Sequence, residues 1–228
     1  MSIHIIFIYI IHINIKNFSQ CYLDIIYIKI FFRLYKKIRN HEFMLNPIAK
    51  NFKGLVLVTG PTKSGKSQLG EFLIKDQESI IYIATSKPRN NDPEWQRRIK
   101  IHSARRPLSW KLIEHPVDIC NTIGSIGDKQ SILIDSLGGL VEQHLSKNEE
   151  EWDLFKNKLI RCLIEKDLGI VLVTEEIGWG IVPATPIGHL FRERHCSLSL
   201  LLGRYSVKQW LAINGIAIDL DKYGDVIP

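Results

Sequence analysis

Gly60-Pro61-Thr62-Lys63-Ser64-Gly65-Lys66-Ser67 satisfies G-x-x-x-x-G-K-[ST], and no other stretch constrains the fold of this chain as strongly. Residues 55–59 before it form a short apolar run that ends at Gly60 and Pro61 and reads as a buried strand, and the residues after it read as a helix. Strand, glycine turn and helix in that order make a loop whose backbone N–H groups point inward at a polyphosphate, with the helix N-terminus adding partial positive charge. In such a loop Lys66 neutralises the β and γ oxygens, and Ser67 offers a hydroxyl to Mg²⁺. A plain turn with an exposed lysine would need neither the strand before nor the helix after.

The remaining pattern fits an α/β fold around a mostly parallel sheet. Residues 80–84, 131–134 and 169–174 are short Ile- and Val-rich runs ending near Ser, Thr, Asp or Glu, as inner strands covered on both faces do. Residues 93–104, 138–145, 149–166 and 187–204 are predicted helices; the third places Trp152, Phe155, Leu159, Cys162 and Leu163 at spacings of three and four. Asn214-Gly215 between apolar runs 209–213 and 216–220 predicts a C-terminal hairpin. A length of 228 residues with 45% hydrophobic and 24% charged side chains suits one globular domain of this kind. The four cysteines, Cys21, Cys120, Cys162 and Cys196, are far apart and include no C-x-x-C pair, which disfavours a zinc ribbon or disulfide framework and fits a reducing cytoplasm. Every apolar run falls short of the roughly 18 to 20 residues that cross a bilayer, so stable membrane insertion is not expected.

Residues 1–43 differ from the rest, with thirteen Ile and no Gly, Ala, Val, Pro, Thr or Trp. Their Ile, Phe, Tyr, Asn and Lys are amino acids of AT-rich codons, which suggests upstream sequence read through to a start at Met44. A targeting segment is a poorer match, since the apolar stretch carries His4 and His12 and lacks a basic leader and a small-residue cleavage site. An appended strand or amphipathic helix over 27–38 is the third reading. This stretch holds six basic and two acidic side chains, leaving 24 basic and 22 acidic ones in 44–228. The excess positive charge therefore belongs mostly to the extension, and a nucleic-acid footprint is not expected in the main domain.

A phosphate loop needs a carboxylate for the metal's water shell, normally at the end of a nearby strand. Asp135 ends one predicted strand, and Glu175 with Glu176 ends another. Asp135 is the first choice, although any of these can instead cap a helix. His102 closes a predicted helix with Arg105 and Arg106 just beyond it. It reads either as a surface histidine at a helix C-terminus or as a neutral imidazole that attacks an α-phosphate while the arginines hold the charge.

Leu55 to Ser67, Tyr82-Ile-Ala-Thr-Ser86, Arg98-Ile-Lys-Ile-His102, Arg106-Pro107, Trp110 with Glu114, and Gly178-Trp-Gly-Ile-Val-Pro183 occur in an order and approximate spacing found together in one family. The chain resembles the bifunctional adenosylcobinamide kinase / adenosylcobinamide-phosphate guanylyltransferases of cobalamin biosynthesis over about residues 54–220. The resemblance implies a RecA-like P-loop NTPase fold. It also implies phosphorylation of adenosylcobinamide by GTP or ATP with Mg²⁺, then transfer of GMP from GTP to that phosphate through a guanylylated histidine, matched by His102. By the same match Gly60 to Ser67, Thr85, Ser86, Ser103, Ala104, Arg105, Arg106, Glu114 and Asp135 occupy nucleotide-binding positions, and Lys66 joins His102 as a catalytic residue. A homotrimer is implied as well.

The chain departs from the family pattern at several places. Glu175 replaces a neutral amide, Cys196 stands for a glycine after Phe191-Arg192-Glu193, Ser199-Leu200 stands for Asn-Gln, and Gln143 for an Asn. These changes fall on the part expected to face the corrinoid and to serve the kinase step. A non-catalytic or single-activity nucleotide-binding protein is the alternative function, while a RecA-like motor is disfavoured by the near-neutral domain and the lack of an aromatic-basic stripe.

Overall fold

Strands that are apolar at every position can be buried only when helices cover both faces of their sheet. The computed structural model, which describes residues 45–227, has that form. In chain order the elements are β1 (Gly54–Gly60), α1 (Lys66–Ile74), β2 (Ile80–Ala84), α2 (Pro93–Arg105), β3 (Lys111–Glu114), α3 (Ile119–Gly124), β4 (Ser131–Asp135), α4 (Leu137–Gln143), α5 (Glu149–Glu165), β5 (Gly169–Glu175), α6 (Pro186–Tyr205), β6 (Lys208–Ile213), β7 (Ile216–Asp219) and α7 (Leu220–Tyr223). The expected extension over 1–43 lies outside the described residues.

The sheet runs β3-β2-β4-β5-β1-β6-β7, parallel throughout except for the antiparallel β6–β7 edge pair. Alternation along the strands builds two apolar layers. Leu55, Leu57, Ile81, Ile83, Ile132, Ile134, Ile170 and Leu172 pack with Ile123, Leu140, Leu159, Leu163 and Leu198 from the helices α3 to α6. On the other face α1 comes close to the sheet at Gly70, where a methyl group would sit 3.1 Å from both Leu133 Cδ1 and Val173 Cγ2. Among the described residues no helix is long and apolar enough to cross a membrane.

The inner strands and the long helices form where the sequence predicts them. Three short elements were not predicted: β3, whose four residues are exposed apart from half-buried Ile113, α3, a six-residue helix capped by Asp118 through Asn121 N, and the four-residue α7, capped by Asp219 through Lys222 N. The helix expected over 138–145 begins at Leu137 and stops at Gln143. Its end is fixed by buried Arg194, which donates to the carbonyls of His144 (3.1 Å), Leu145 (3.4 Å) and Lys147 (2.8 Å) and to Glu149 Oε1 (2.8 Å). At the predicted hairpin Asn214 (φ 50°) and Gly215 (φ 74°) both take positive φ, as a type I′ turn requires. That turn reaches back to the phosphate loop, where Gly215 N donates to Ser64 O at 3.0 Å.

Candidate functional site

Strand register gathers the chemistry at the carboxyl edge of the sheet, where ligands bind in open α/β folds. Gly60 pairs with Glu175 across β1 and β5, and Ala84 pairs with Asp135 on one side and Glu114 on the other. The loop between Gly60 and α1 winds through two positive φ angles, Lys63 at 61° and Gly65 at 96°. Gly60 cannot carry a side chain, because a Cβ there would lie 2.3 Å from Ala212 O and 2.6 Å from Ser64 Oγ. Pro61 and Ser67 are half-buried and Thr62 and Lys63 exposed, while Lys66 Nζ donates to Pro61 O at 3.2 Å across its own loop. Ser64 is buried, and its Oγ has no hydrogen-bond partner among the described residues. A buried hydroxyl without a partner inside a loop of this shape suits a phosphate oxygen.

The second part of the site forms where α2 ends. Asp92 caps this helix by accepting from Trp95 N at 2.9 Å, with Pro93 in its first turn. Ten residues after that cap its last turn carries His102 over the tip of β4, with His102 Nδ1 4.0 Å from Asp135 Oδ2. The same oxygen accepts from Tyr82 OH at 2.7 Å. Burial and the Asp135 charge push the Tyr82 phenol well above its ordinary pKa, so it stays a donor. Arg106, one turn after His102, lays its guanidinium 4.1 Å from the centre of the Tyr82 ring, and its buried Nη1 has no partner among the described residues. An anion beside His102 would satisfy that nitrogen.

The other expected nucleotide positions divide. Arg105 turns away to a bidentate pair with Glu71, Nε and Nη2 each at 3.1 Å. Ser103 and Ala104 are exposed, and Ser103 returns its hydroxyl to Lys100 O at 3.0 Å. Thr85 is fully buried and its hydroxyl is committed within the protein, donating to Ser136 O (2.6 Å) and accepting from Ser136 N (2.8 Å). Its hydroxyl therefore shapes the turn that presents Asp135. Ser86 is half-buried, and Glu114 is exposed at the end of the edge strand. Gln143 supports the same turn region through Nε2, which donates to Thr85 O at 2.7 Å.

Glu175, the departure with the largest change in charge, sits inside a polar cluster. It accepts from Ser136 Oγ and from Gly138 N (3.0 Å) and lies 3.2 Å from Nε2 of buried His195. Burial opposes its ionisation, but the His195 and Ser136 hydrogen bonds and the nearby His195 and Lys66 charges outweigh burial and hold its carboxyl below the usual range. A depressed folded-state value contributes stability above the unfolded pKa, about 4.3 for Glu, and this is lost as pH falls through the folded value. Thermal melts between pH 6 and pH 3 should accordingly show a shallower acid loss for Glu175→Gln than for the parent. Equal slopes would mean that the cluster contributes nothing to acid sensitivity.

Ser136, Gly139 and His195 have no place in the sequence-based site, and Tyr82 enters it only as the first residue of a motif, with no role of its own. A tyrosine within an apolar strand was the available signal for Tyr82, since a buried phenol must find a partner. Gly139 lets α4 sit against the β2 turn: a methyl there would lie 2.3 Å from Thr85 Oγ1 and 2.8 Å from Ser86 N. Alanine normally stabilises a helix relative to glycine, but here the collision with backbone reverses the sign. Gly139→Ala should cost about 2 kcal/mol or more, a fall of roughly 5 °C in melting temperature for a domain of this size. An unchanged or raised melting temperature would contradict that.

No cluster of three or more His, Cys, Asp or Glu side chains able to hold a metal occurs among the described residues. Magnesium with a nucleotide needs no such cage, because phosphate oxygens and water fill most of its shell. Ser67 and Asp135 suit the remaining places.

A strand, phosphate loop and helix at the carboxyl edge of a parallel sheet, with a carboxylate ending β4 nearby, define a P-loop nucleotide-binding protein of the α/β class. The family model described as cobinamide kinase / cobinamide phosphate guanyltransferase matches residues 56–220, and the chain belongs to that family. It is similar to the bifunctional adenosylcobalamin biosynthesis protein CobU of Escherichia coli K12, 31% identical over 181 residues, which cover 73% of this chain and 99% of that protein. The CobU of Salmonella typhimurium is 30% identical over 182 residues, covering 73% and 99%. The bifunctional CobP of Pseudomonas aeruginosa is 35% identical over 139 residues, covering 60% and 78%.

Proposed function

We propose that this chain phosphorylates adenosylcobinamide and then transfers GMP from GTP to the adenosylcobinamide phosphate through a guanylylated His102, giving adenosylcobinamide-GDP. The observation that carries the reading is the meeting of His102, Asp135 and Arg106 at the sheet edge that also bears the phosphate loop. In the first reaction the loop amides and Lys66 hold the triphosphate of GTP or ATP, and Ser67 and Asp135 hold Mg²⁺, which supplies charge neutralisation between the phosphates. In the second, His102 displaces pyrophosphate from GTP while Arg106 stabilises the charge that develops.

Incubation with α-labelled GTP tests this directly, since the label should become covalently attached to the protein and pass to adenosylcobinamide phosphate. Protein that never becomes labelled would favour the single-activity or non-catalytic reading. Glu175 gives that alternative its physical basis, because it adds a negative charge where Lys66 must meet phosphate. A labelled protein that cannot phosphorylate adenosylcobinamide would have kept only the guanylyl transfer.

The proposal includes a cytoplasmic homotrimer, as the resemblance implies. Trp179, Ile181 and Val182 are exposed in the loop after β5, an apolar surface suited to the corrinoid. The catalytic domain is placed at 44–228, because every proposed site residue lies at or beyond Gly60. A chain beginning at Met44 should therefore become labelled at the same rate as the full chain. A tenfold slower rate would place residues 1–43 in the function.

A further inference from the structure

Cysteines far apart in sequence give no disulfide framework, but folding brings two of them together. α5 lies along α3, and every fourth residue on one of its faces meets the short helix. Lys158 Nζ donates to Asp118 Oδ2 at 2.8 Å, Cys162 Sγ to Cys120 O at 3.9 Å, and Lys166 Nζ, at the C-cap, to Gly124 O at 3.3 Å. Cys162 is thus the middle of three successive contacts, fixed on both sides by a lysine, and its thiol is within hydrogen-bonding reach of the Cys120 thiol. Both are free thiols, and neither belongs to the phosphate loop or to the group around His102. Cys120 is 9% exposed and stands on the wall of a cavity of about 470 Å³ beside Asp118, His144, Phe155 and the exposed Lys158, which gives a small oxidant a route to its sulfur. A thiol reacts as its thiolate. The hydrogen bond with Cys162 and the Lys158 ammonium favour the Cys120 thiolate against burial, while the same hydrogen bond and burial push the Cys162 thiol up.

We infer that Cys120 and Cys162 are a modification site for hydroperoxides, which convert the pair to a reversible intramolecular disulfide, Cys120 being oxidised first and Cys162 resolving it. With hydrogen peroxide, the Cys120 thiolate attacks one oxygen, an S–O bond forms and the O–O bond breaks. The departing hydroxide takes up the proton that the thiol lost, which leaves a sulfenic acid and one water. The Cys162 sulfur then attacks the Cys120 sulfur, the S–S bond forms, and the S–O bond breaks. Hydroxide leaves with the Cys162 proton as a second water. In all, two thiols give up two electrons and one peroxide is reduced. A thiol reductant reverses the bond by exchange. Once formed, the disulfide ties α3 to α5 and so fixes the connection between β3, whose last residue is Glu114, and β4.

The experiment treats the reduced full chain, at high dilution and under native conditions, with hydrogen peroxide and maps its proteolytic peptides without reduction. The expected product is a cross-linked pair of peptides holding Cys120 and Cys162, lighter than their sum by two hydrogens and separated by dithiothreitol. A disulfide to Cys21 or Cys196 instead, sulfinic acid on Cys120 with no link to Cys162, or both thiols left intact would each overturn the pairing, and none of these readings depends on a variant that has to fold. The order of reaction is read with dimedone, which traps sulfenic acids. Cys162→Ser protein should carry dimedone on Cys120 at least about tenfold more than Cys120→Ser protein carries it on Cys162. Labelling of Cys162 equal to or above that of Cys120 would overturn the order assigned to the two thiols.

Discussion

His102→Ala should reduce covalent guanylylation to background while leaving GTP binding within about twofold, because it removes the proposed nucleophile but none of the phosphate-cradling amides. The two losses separate in space: the loop spans Gly60 to Lys66, whereas His102 is on the last turn of α2. A phosphoramidate is hydrolysed by acid and spared by alkali, the opposite of a phosphoserine ester. Label on the parent protein should accordingly be lost in acid, survive base and move to adenosylcobinamide phosphate. His102→Ala protein labelled to the parental extent would show that the nucleophile lies elsewhere.

Lys66→Ala should lose both reactions with the fold retained. The ammonium's hydrogen bond among the described residues is to Pro61 O, at the mouth of α1, and the half-buried Glu175 carboxylate that its charge helps to hold keeps Ser136, Gly138 and His195 as partners when the ammonium is removed. What disappears is the main cation for the β and γ oxygens. One charge-assisted contact is worth about 1.5 to 3 kcal/mol, so GTP affinity should fall roughly tenfold or more. Both half-reactions need the triphosphate held, and both should fall together, with the melting temperature near the parent's. Unchanged affinity in a calorimetric titration would contradict the assignment, and a collapsed melting curve would show that Lys66 acts on folding instead.

The inner strands were legible because a strand covered on both faces must be apolar throughout, and few other elements are so short and so continuous. β3 was not, because an edge strand with only Ile113 half-buried carries no such run. The phosphate loop was legible because its parts are consecutive. The group around His102 was not, since Tyr82, Asp135 and Arg106 are brought together by strand order and register, neither of which appears in the linear spacing. Thr85 shows the remaining gap: its position was identified from the family pattern, but the commitment of its hydroxyl to Ser136 became visible only in three dimensions.

The contact from Gly215 N to Ser64 O means that the loop near the start of the domain is completed by a turn near its end. The missing Cβ of Gly60, which lets Ala212 O approach, makes the same connection one strand earlier. On a growing polypeptide the triphosphate cradle should therefore gain its last supporting contacts only when β6 and β7 have emerged and docked beside β1. Nucleotide capture becomes a reporter of completed synthesis: ribosome-bound chains ending before residue 208 should fail to retain GTP, and capture should begin abruptly once the hairpin has left the exit tunnel.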